Sequence, residues 1–125
     1  MVKTLIIIGA GGFVGSIARY LTSKYIQDNL SFSFPVGTLI VNISGCFILG
    51  VIYGLMERGE ILSQESRLFL TIGFCGGFTT FSSFAFENVL ILRDGNFMQS
   101  ALYISLSVFA GILSLYIGSI IAKLI

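Results

Sequence analysis

Gly73-Phe74-Cys75-Gly76-Gly77-Phe78-Thr79-Thr80-Phe81-Ser82-Ser83-Phe84 is the stretch on which the reading of this chain turns. Its twelve residues hold three glycines, four hydroxyl side chains and four phenylalanines. It lies within 68–86, a run of 19 residues without a charge, which is long enough to cross a bilayer. A lipid-facing helix has no use for that mixture. Gly76-Gly77 is unfavourable inside a helix, and Thr79-Thr80 competes for backbone hydrogen bonds. Non-helical backbone survives at membrane depth only where protein or water surrounds it. The stretch therefore predicts a third helix broken mid-membrane over Gly76 to Thr79, its freed backbone turned away from lipid.

The rest of the composition agrees with a membrane setting. The chain has 125 residues, 55% of them hydrophobic and only 10% charged, against about 25% charged in soluble domains. A mean hydropathy of +0.97 leaves too little polar surface to coat a soluble globule. Net charge is +1, so no nucleic-acid partner is expected. Histidine is absent, which removes the commonest general base and metal ligand. Cys46 and Cys75 read as small buried hydrophobes rather than a disulfide or metal pair.

Working outward, four apolar segments emerge, at roughly 4–25, 34–56, 67–92 and 96–122, forming one transmembrane domain of all-α class. The first opens like a signal peptide, but its apolar run continues past any small-residue cleavage site. It also contains Gly9, Gly12 and Gly15, a spacing that mimics a nucleotide-binding fingerprint. The alternating strands and amphipathic helices of that fold are missing. The glycines read better as small-x-x-x-small pairs, Gly11 with Gly15 and Gly12 with Ser16, for close helix packing. Arg19 either snorkels to the interface or lines an aqueous mouth that attracts an anion.

Residues 27–33 read as a polar loop, and Pro35 suits the first turn of the next helix. The second segment is 23 residues without a charge. Thr38, Asn42 and Gly45 share one of its faces, with Gly50 and Gly54 on a neighbouring ridge. An amide at the depth of Asn42 needs a partner, either another helix or a permeating ion. Residues 57–66, with Glu57, Arg58, Glu60 and Glu65, read as a solvated connector. In the fourth segment Tyr103, Ser107, Gly111, Ser114 and Gly118 form a small, hydroxylated stripe that faces protein or a pore.

Four spans put both termini on one side. Lys3, Arg58, Arg67 and Lys123 then fall on the terminal side, and Arg19, Lys24 and Arg93 on the other. Four against three is almost no bias, so insertion in both orientations is expected. Two opposed copies then pair about an axis in the membrane plane, as inverted repeats do. Carbonyls freed by the break suit a small cation at such an axis. Phe78, Phe81 and Phe84 are spaced by three and read as lying along one face, with Phe74 and Phe78 in ordinary packing. Phe81 and Phe84 alternate with Thr80, Ser82 and Ser83. Phenyl rings have positive edges. Ring edges, an amide and hydroxyl donors together suit a small, strongly hydrated anion that must not be bound too tightly.

Three motifs carry a resemblance. Residues 73–84 resemble the third-helix signature of the CrcB/Fluc family of small bacterial fluoride channels. Gly37-Thr38-Leu39-Ile40-Val41-Asn42 resembles its second-helix motif, and Gly15-Ser16-Ile17-Ala18-Arg19-Tyr20 its first. The resemblance implies an antiparallel, dual-topology homodimer in the cell membrane, multi-pass, with two fluoride pores and a central structural Na+. It implies that Phe81 and Phe84 contact fluoride, that Asn42 donates to it, and that Thr38, Ser82, Ser83, Tyr103 and Ser107 line the pore. It implies Arg19 at the vestibule and the backbone carbonyls of Gly76 and Thr79 as sodium ligands. Glu87 matches an acidic position.

The expected function is passive fluoride export that relieves toxicity, with no enzymatic chemistry. The alternative is a proton-coupled, dual-topology exporter of the small multidrug-resistance type. That carrier needs a membrane-buried carboxylate. The first segment has none, and Glu87 is expected near a helix end.

Overall fold

The computed structural model describes every residue except Phe32 and Glu60. Phe32, in the expected first loop, and Glu60, in the charged connector, therefore lie outside the described residues. The chain runs α1 (Val2–Asn29), α2 (Val36–Glu57), α3 (Gln64–Leu68), a π-helical segment (Phe69–Cys75), α4 (Gly76–Phe78), α5 (Phe81–Arg93) and α6 (Phe97–Leu124). Among the described residues four stretches are long and apolar enough to cross a membrane: Val2–Asn29, Val36–Glu57, Gln64–Arg93 and Phe97–Leu124. Their outer faces are greasy. Phe13, Phe109 and Ile112 are 68%, 76% and 69% exposed, as side chains bathed in lipid would be.

Glycine ridges hold the helices together. Lipid supplies no hydrophobic drive between helices, so close backbone contact must do that work. α1 lies against the segment 69–78. A Cβ on Gly15 would strike the Phe74 carbonyl, and one on Gly77 would sit 2.6 Å from the Gly12 carbonyl. α2 crosses α6 in the same way. Gly50 meets the Leu115 carbonyl, Gly54 the Ser119 carbonyl, and Gly118 the Phe47 carbonyl. Ser114 adds a bond from Oγ to the Ile43 carbonyl at 3.0 Å. Tyr103, Gly111 and Gly118 of the expected stripe are buried, with Ser107 and Ser114 half-buried beside them.

Both termini lie at one end of the bundle. Lys3 pairs with Glu65, Lys123 with Glu57 at 2.5 Å, and Arg58 Nη1 donates to the Ala122 carbonyl at 3.4 Å. Lys24 and Asp28 pair at the opposite end, at 3.3 Å.

Four expectations are corrected. α1 continues to Asn29, so Gln27, Asp28 and Asn29 are helical rather than loop. Nothing there stops a helix, since the sole proline is Pro35. Gly76 and Gly77 are helical, with Gly76 at φ −62°, ψ −38°. The residues that leave helical geometry are Thr79 (φ −84°, ψ 157°) and Thr80 (φ −150°, ψ 119°). Phe78 therefore shares no helical face with Phe81 and Phe84. It is buried and stacks on Phe74 at 5.5 Å. Finally, Glu87 sits midway along α5, not near a helix end.

Candidate functional site

The two extended threonines strand several backbone groups, and side chains from three elements take them up. Asn42 of α2 faces Thr80 with both ends of its amide. Its Oδ1 accepts from Thr80 N at 2.7 Å, and its Nδ2 donates to the Thr80 carbonyl at 3.0 Å. Thr80 in turn caps α5, its Oγ1 accepting from Ser83 N at 3.2 Å. Arg19 of α1 donates from Nε to the Gly77 carbonyl at 3.0 Å. Thr79 stays tied upstream, its N–H and Oγ1 both donating to the Cys75 carbonyl at 3.0 and 2.8 Å.

Among the described residues the Gly76, Phe78 and Thr79 carbonyls come out short in this accounting, and Gly76 and Thr79 share a cavity. A continuous helix would give the Gly76 carbonyl the Thr80 N–H, but that hydrogen goes to Asn42. It would give the Thr79 carbonyl the Ser83 N–H, but that goes to Thr80 Oγ1. Gly76 and Thr79 line one cavity of about 330 Å³ together with Asn42, Gly45, Cys46 and Cys75. Gly45 is close here because a Cβ would run into the Thr79 methyl.

A second cluster forms about two turns beyond the break, around Glu87. Glu87 accepts from Thr38 Oγ1 at 2.5 Å on one oxygen and from Tyr103 OH at 3.0 Å on the other. Tyr103 is fully buried. Its ring meets Phe84 at 5.0 Å and Phe34 at 5.1 Å, both edge-to-face. Phe84 lies 5.6 Å from Phe81, which is 78% exposed. α5 is also pinned to α6 by the buried pair Ser100 and Asn88, Ser100 Oγ donating to Asn88 Oδ1 at 2.8 Å, while Asn88 Nδ2 donates to the Phe84 carbonyl at 2.9 Å.

Thr38 and Glu87 also form part of an open cavity of about 490 Å³ shared with Tyr20, Lys24, Gly37 and Asp94. This cavity lies at the end of the bundle that carries the Lys24–Asp28 pair. Arg19 is not among its lining residues; only its neighbour Tyr20 is.

The structure thus brings Thr38, Phe84 and Tyr103 together, and separately Asn42, Gly76 and Thr79. Ser82 and Ser83 sit on the first turn of α5, and both bond to Thr80 Oγ1, at 3.3 and 3.2 Å. Ser107 Oγ is buried with no hydrogen-bond partner among the described residues, one turn along α6 from Tyr103. Sequence reasoning missed the partners of Glu87, the bond from Arg19 to Gly77, and Phe34. The only signal for the first was the helical register that puts Thr38 and Asn42 on one face. The other two depend on which helices meet, which a single sequence does not record.

Comparison with known proteins finds matches over nearly the whole chain. The family profile described as "CrcB-like protein, Camphor Resistance (CrcB)" matches residues 6–119. A fluoride-specific ion channel FluC of Chlorobium phaeobacteroides (strain BS1) is 48% identical over 120 residues, covering 96% of this chain and 93% of that protein. One from Flavobacterium psychrophilum is 42% identical over 121 residues, covering 97% and 98%. One from Chlorobaculum tepidum is 42% identical over 124 residues, covering 99% and 98%.

Proposed function

Because the chain belongs to the CrcB-like protein family, we propose that it is a fluoride channel of the cell membrane that lets fluoride leave the cytoplasm passively. It is a multi-pass membrane protein, and its relatives are named as ion channels rather than enzymes. The observation that carries the reading is the identity of 48% to a fluoride-specific channel across 96% of the chain.

The geometry supports a path. An anion entering the cavity beside Lys24 meets Thr38 first. It then passes the edges of Tyr103, Phe84 and Phe81, and the hydroxyls of Ser82, Ser83 and Ser107. Ring edges favour an anion without the deep well of a fixed charge. Asn42 spends one Nδ2 hydrogen on Thr80 and keeps the other for the ion. Glu87 is the awkward member of the path. Its carboxylate already accepts the hydrogens of Thr38 and Tyr103, so an arriving anion competes with it for those two donors.

The finer reading is an antiparallel homodimer with two such paths and a sodium ion between the subunits. Three features support it. The two sides carry nearly equal basic charge. Thr79 and Thr80 are extended within a stretch otherwise fit to span, which reads as a break at membrane depth. The Gly76 and Thr79 carbonyls lack their helical donors and line one cavity, and hard oxygen donors of that kind suit Na+. Gly76 and Thr79 of each subunit would hold the ion, which supplies positive charge that offsets the unpaired carbonyls.

Efflux from vesicles reconstituted with the purified protein, read by a fluoride electrode, tests the reading. Rapid efflux, reduced about tenfold or more by Phe84→Ile through loss of the ring edge, is expected. Glu87 is a carboxylate inside the bundle, which is what the exporter alternative requires. Vesicles that hold fluoride but take up a lipophilic cation along a proton gradient would establish that alternative instead.

A further inference from the structure

Arg19 lies on the face of α1 that docks the third span. Gly12, Gly15, Ser16 and Arg19 follow one another at helical spacing. A Cβ on Gly15 would run into the Phe74 carbonyl and lie 2.9 Å from Phe78 N, and one on Gly77 would lie 2.6 Å from the Gly12 carbonyl. A Cβ on Gly77 would also lie 3.1 Å from Ser16 Oγ. The small residues bring α1 against the upstream half of the third span, and Arg19 is the next residue along that seam. Its Nε then reaches the Gly77 carbonyl at 3.0 Å.

The helical run that ends at Phe78 has no left-handed residue to close it, because Thr79 is extended. Its last carbonyls point at the break, where the partial negative charge of a helix end collects. A guanidinium in place of a backbone cap answers one of those carbonyls with a fixed, charged, directional donor. The other side of the break is held by Asn42.

We propose that Arg19 is a positioning residue: by taking the Gly77 carbonyl it closes the upstream helix end, so that the neighbouring Gly76 and Thr79 carbonyls stay presented to a hard monovalent cation. The cation half of this statement rests on the proposed channel reading; the capping half does not. Arg19 acts here through Gly77 and is not an electrostatic lure at the mouth.

Two measurements on the reconstituted full-length protein decide the matter. The first is amide hydrogen exchange across 77–83 in wild type, Arg19→Gln and Arg19→Lys. Loss of a charge-assisted bond at the break predicts exchange at Thr79 and Thr80 about tenfold faster in Arg19→Gln. Arg19→Lys is also faster than wild type, because lysine keeps the charge but loses the planar Nε donor. Arg19→Lys serves alone if Arg19→Gln does not fold. Unchanged exchange overturns the proposal. The second is fluoride efflux against Na+ concentration at constant ionic strength, with N-methylglucamine as the replacement cation. The half-activating Na+ concentration rises about tenfold in Arg19→Gln. A lure would instead show slowed efflux that depends on ionic strength, normal Na+ activation and full rescue by lysine, and that pattern also overturns the proposal. If wild-type efflux ignores Na+ altogether, the cation reading falls, and hydrogen exchange alone decides the role of Arg19.

Discussion

Replacing Asn42 with aspartate is the sharpest single perturbation of the site, because it changes one atom and leaves the size alone. The aspartate keeps an oxygen for Thr80 N, now at 2.7 Å from Asn42 Oδ1, and that bond becomes charge-assisted. The other end reverses. Where Nδ2 donates to the Thr80 carbonyl at 3.0 Å, two acceptors now face each other. Losing that bond costs about 1 kcal/mol, and leaving the carbonyl unsatisfied costs roughly 1–3 kcal/mol more. The break is thus loosened by about 2–4 kcal/mol. The charge acts separately on the ion. A unit charge about 4 Å from a passing anion, at an effective dielectric near 20, raises its energy by about 4 kcal/mol. In a rate-limiting step that is roughly a thousandfold. Asn42→Ala supplies the control. It removes both bonds to Thr80 and so loosens the break more than aspartate does, but it adds no charge, so its efflux falls far less. The assay is fluoride efflux from vesicles, with thermal unfolding in detergent for stability. Efflux from Asn42→Asp within tenfold of wild type would refute the reasoning and leave Asn42 as a tie between α2 and Thr80 alone.

Other perturbations separate packing from permeation. Gly50→Ala drives a methyl into the Leu115 backbone, 2.8 Å from its carbonyl carbon, and should destabilise the α2–α6 pair by about 1–3 kcal/mol in detergent unfolding. Gly9→Ala meets nothing within 4 Å and should be neutral or stabilising by up to about 1 kcal/mol. Tyr103→Phe keeps both edge-to-face ring contacts and removes the hydroxyl at 3.0 Å from Glu87. It should cost about 1 kcal/mol of stability and alter fluoride efflux without abolishing it, whereas Tyr103→Ala should abolish it. Antiparallel assembly is checked by cysteine cross-linking between opposed copies; a protein held in one orientation by added terminal lysines should then lose efflux.

The spans were legible because bilayer crossing is a property of composition over a window. Nothing in 95–122 or 34–56 needs a partner to declare itself apolar. The glycine ridges were legible for a similar reason: Gly50 and Gly54 recur at helical spacing, and only close approach makes sense of them. The place of the break was less legible. Gly76-Gly77 is weak in a helix by propensity, yet both residues stay helical, and Gly77 is where α1 packs too closely for a Cβ. Thr79 and Thr80 leave the helix because Asn42 and Thr80's own hydroxyl offer their backbone and its neighbours better partners. Propensity is local, and those partners come from elsewhere in the chain.

Sequence alone determined that this chain lives in a membrane, that it crosses four times, and which face of each helix is small or polar. Those follow from the sums and periods of side-chain chemistry along the chain. Only the tertiary structure decided which polar groups meet: Glu87 between Thr38 and Tyr103, Asn42 on Thr80, and Arg19 on Gly77. The physical reason is range. A hydrogen bond forms within about 3 Å and depends on direction, so it is set by the crossing of helices that lie far apart in the chain. In 73–84 both contributions are visible. The glycines and hydroxyls announce that something other than lipid is near, and the neighbouring helices choose the two residues at which the backbone leaves the helix.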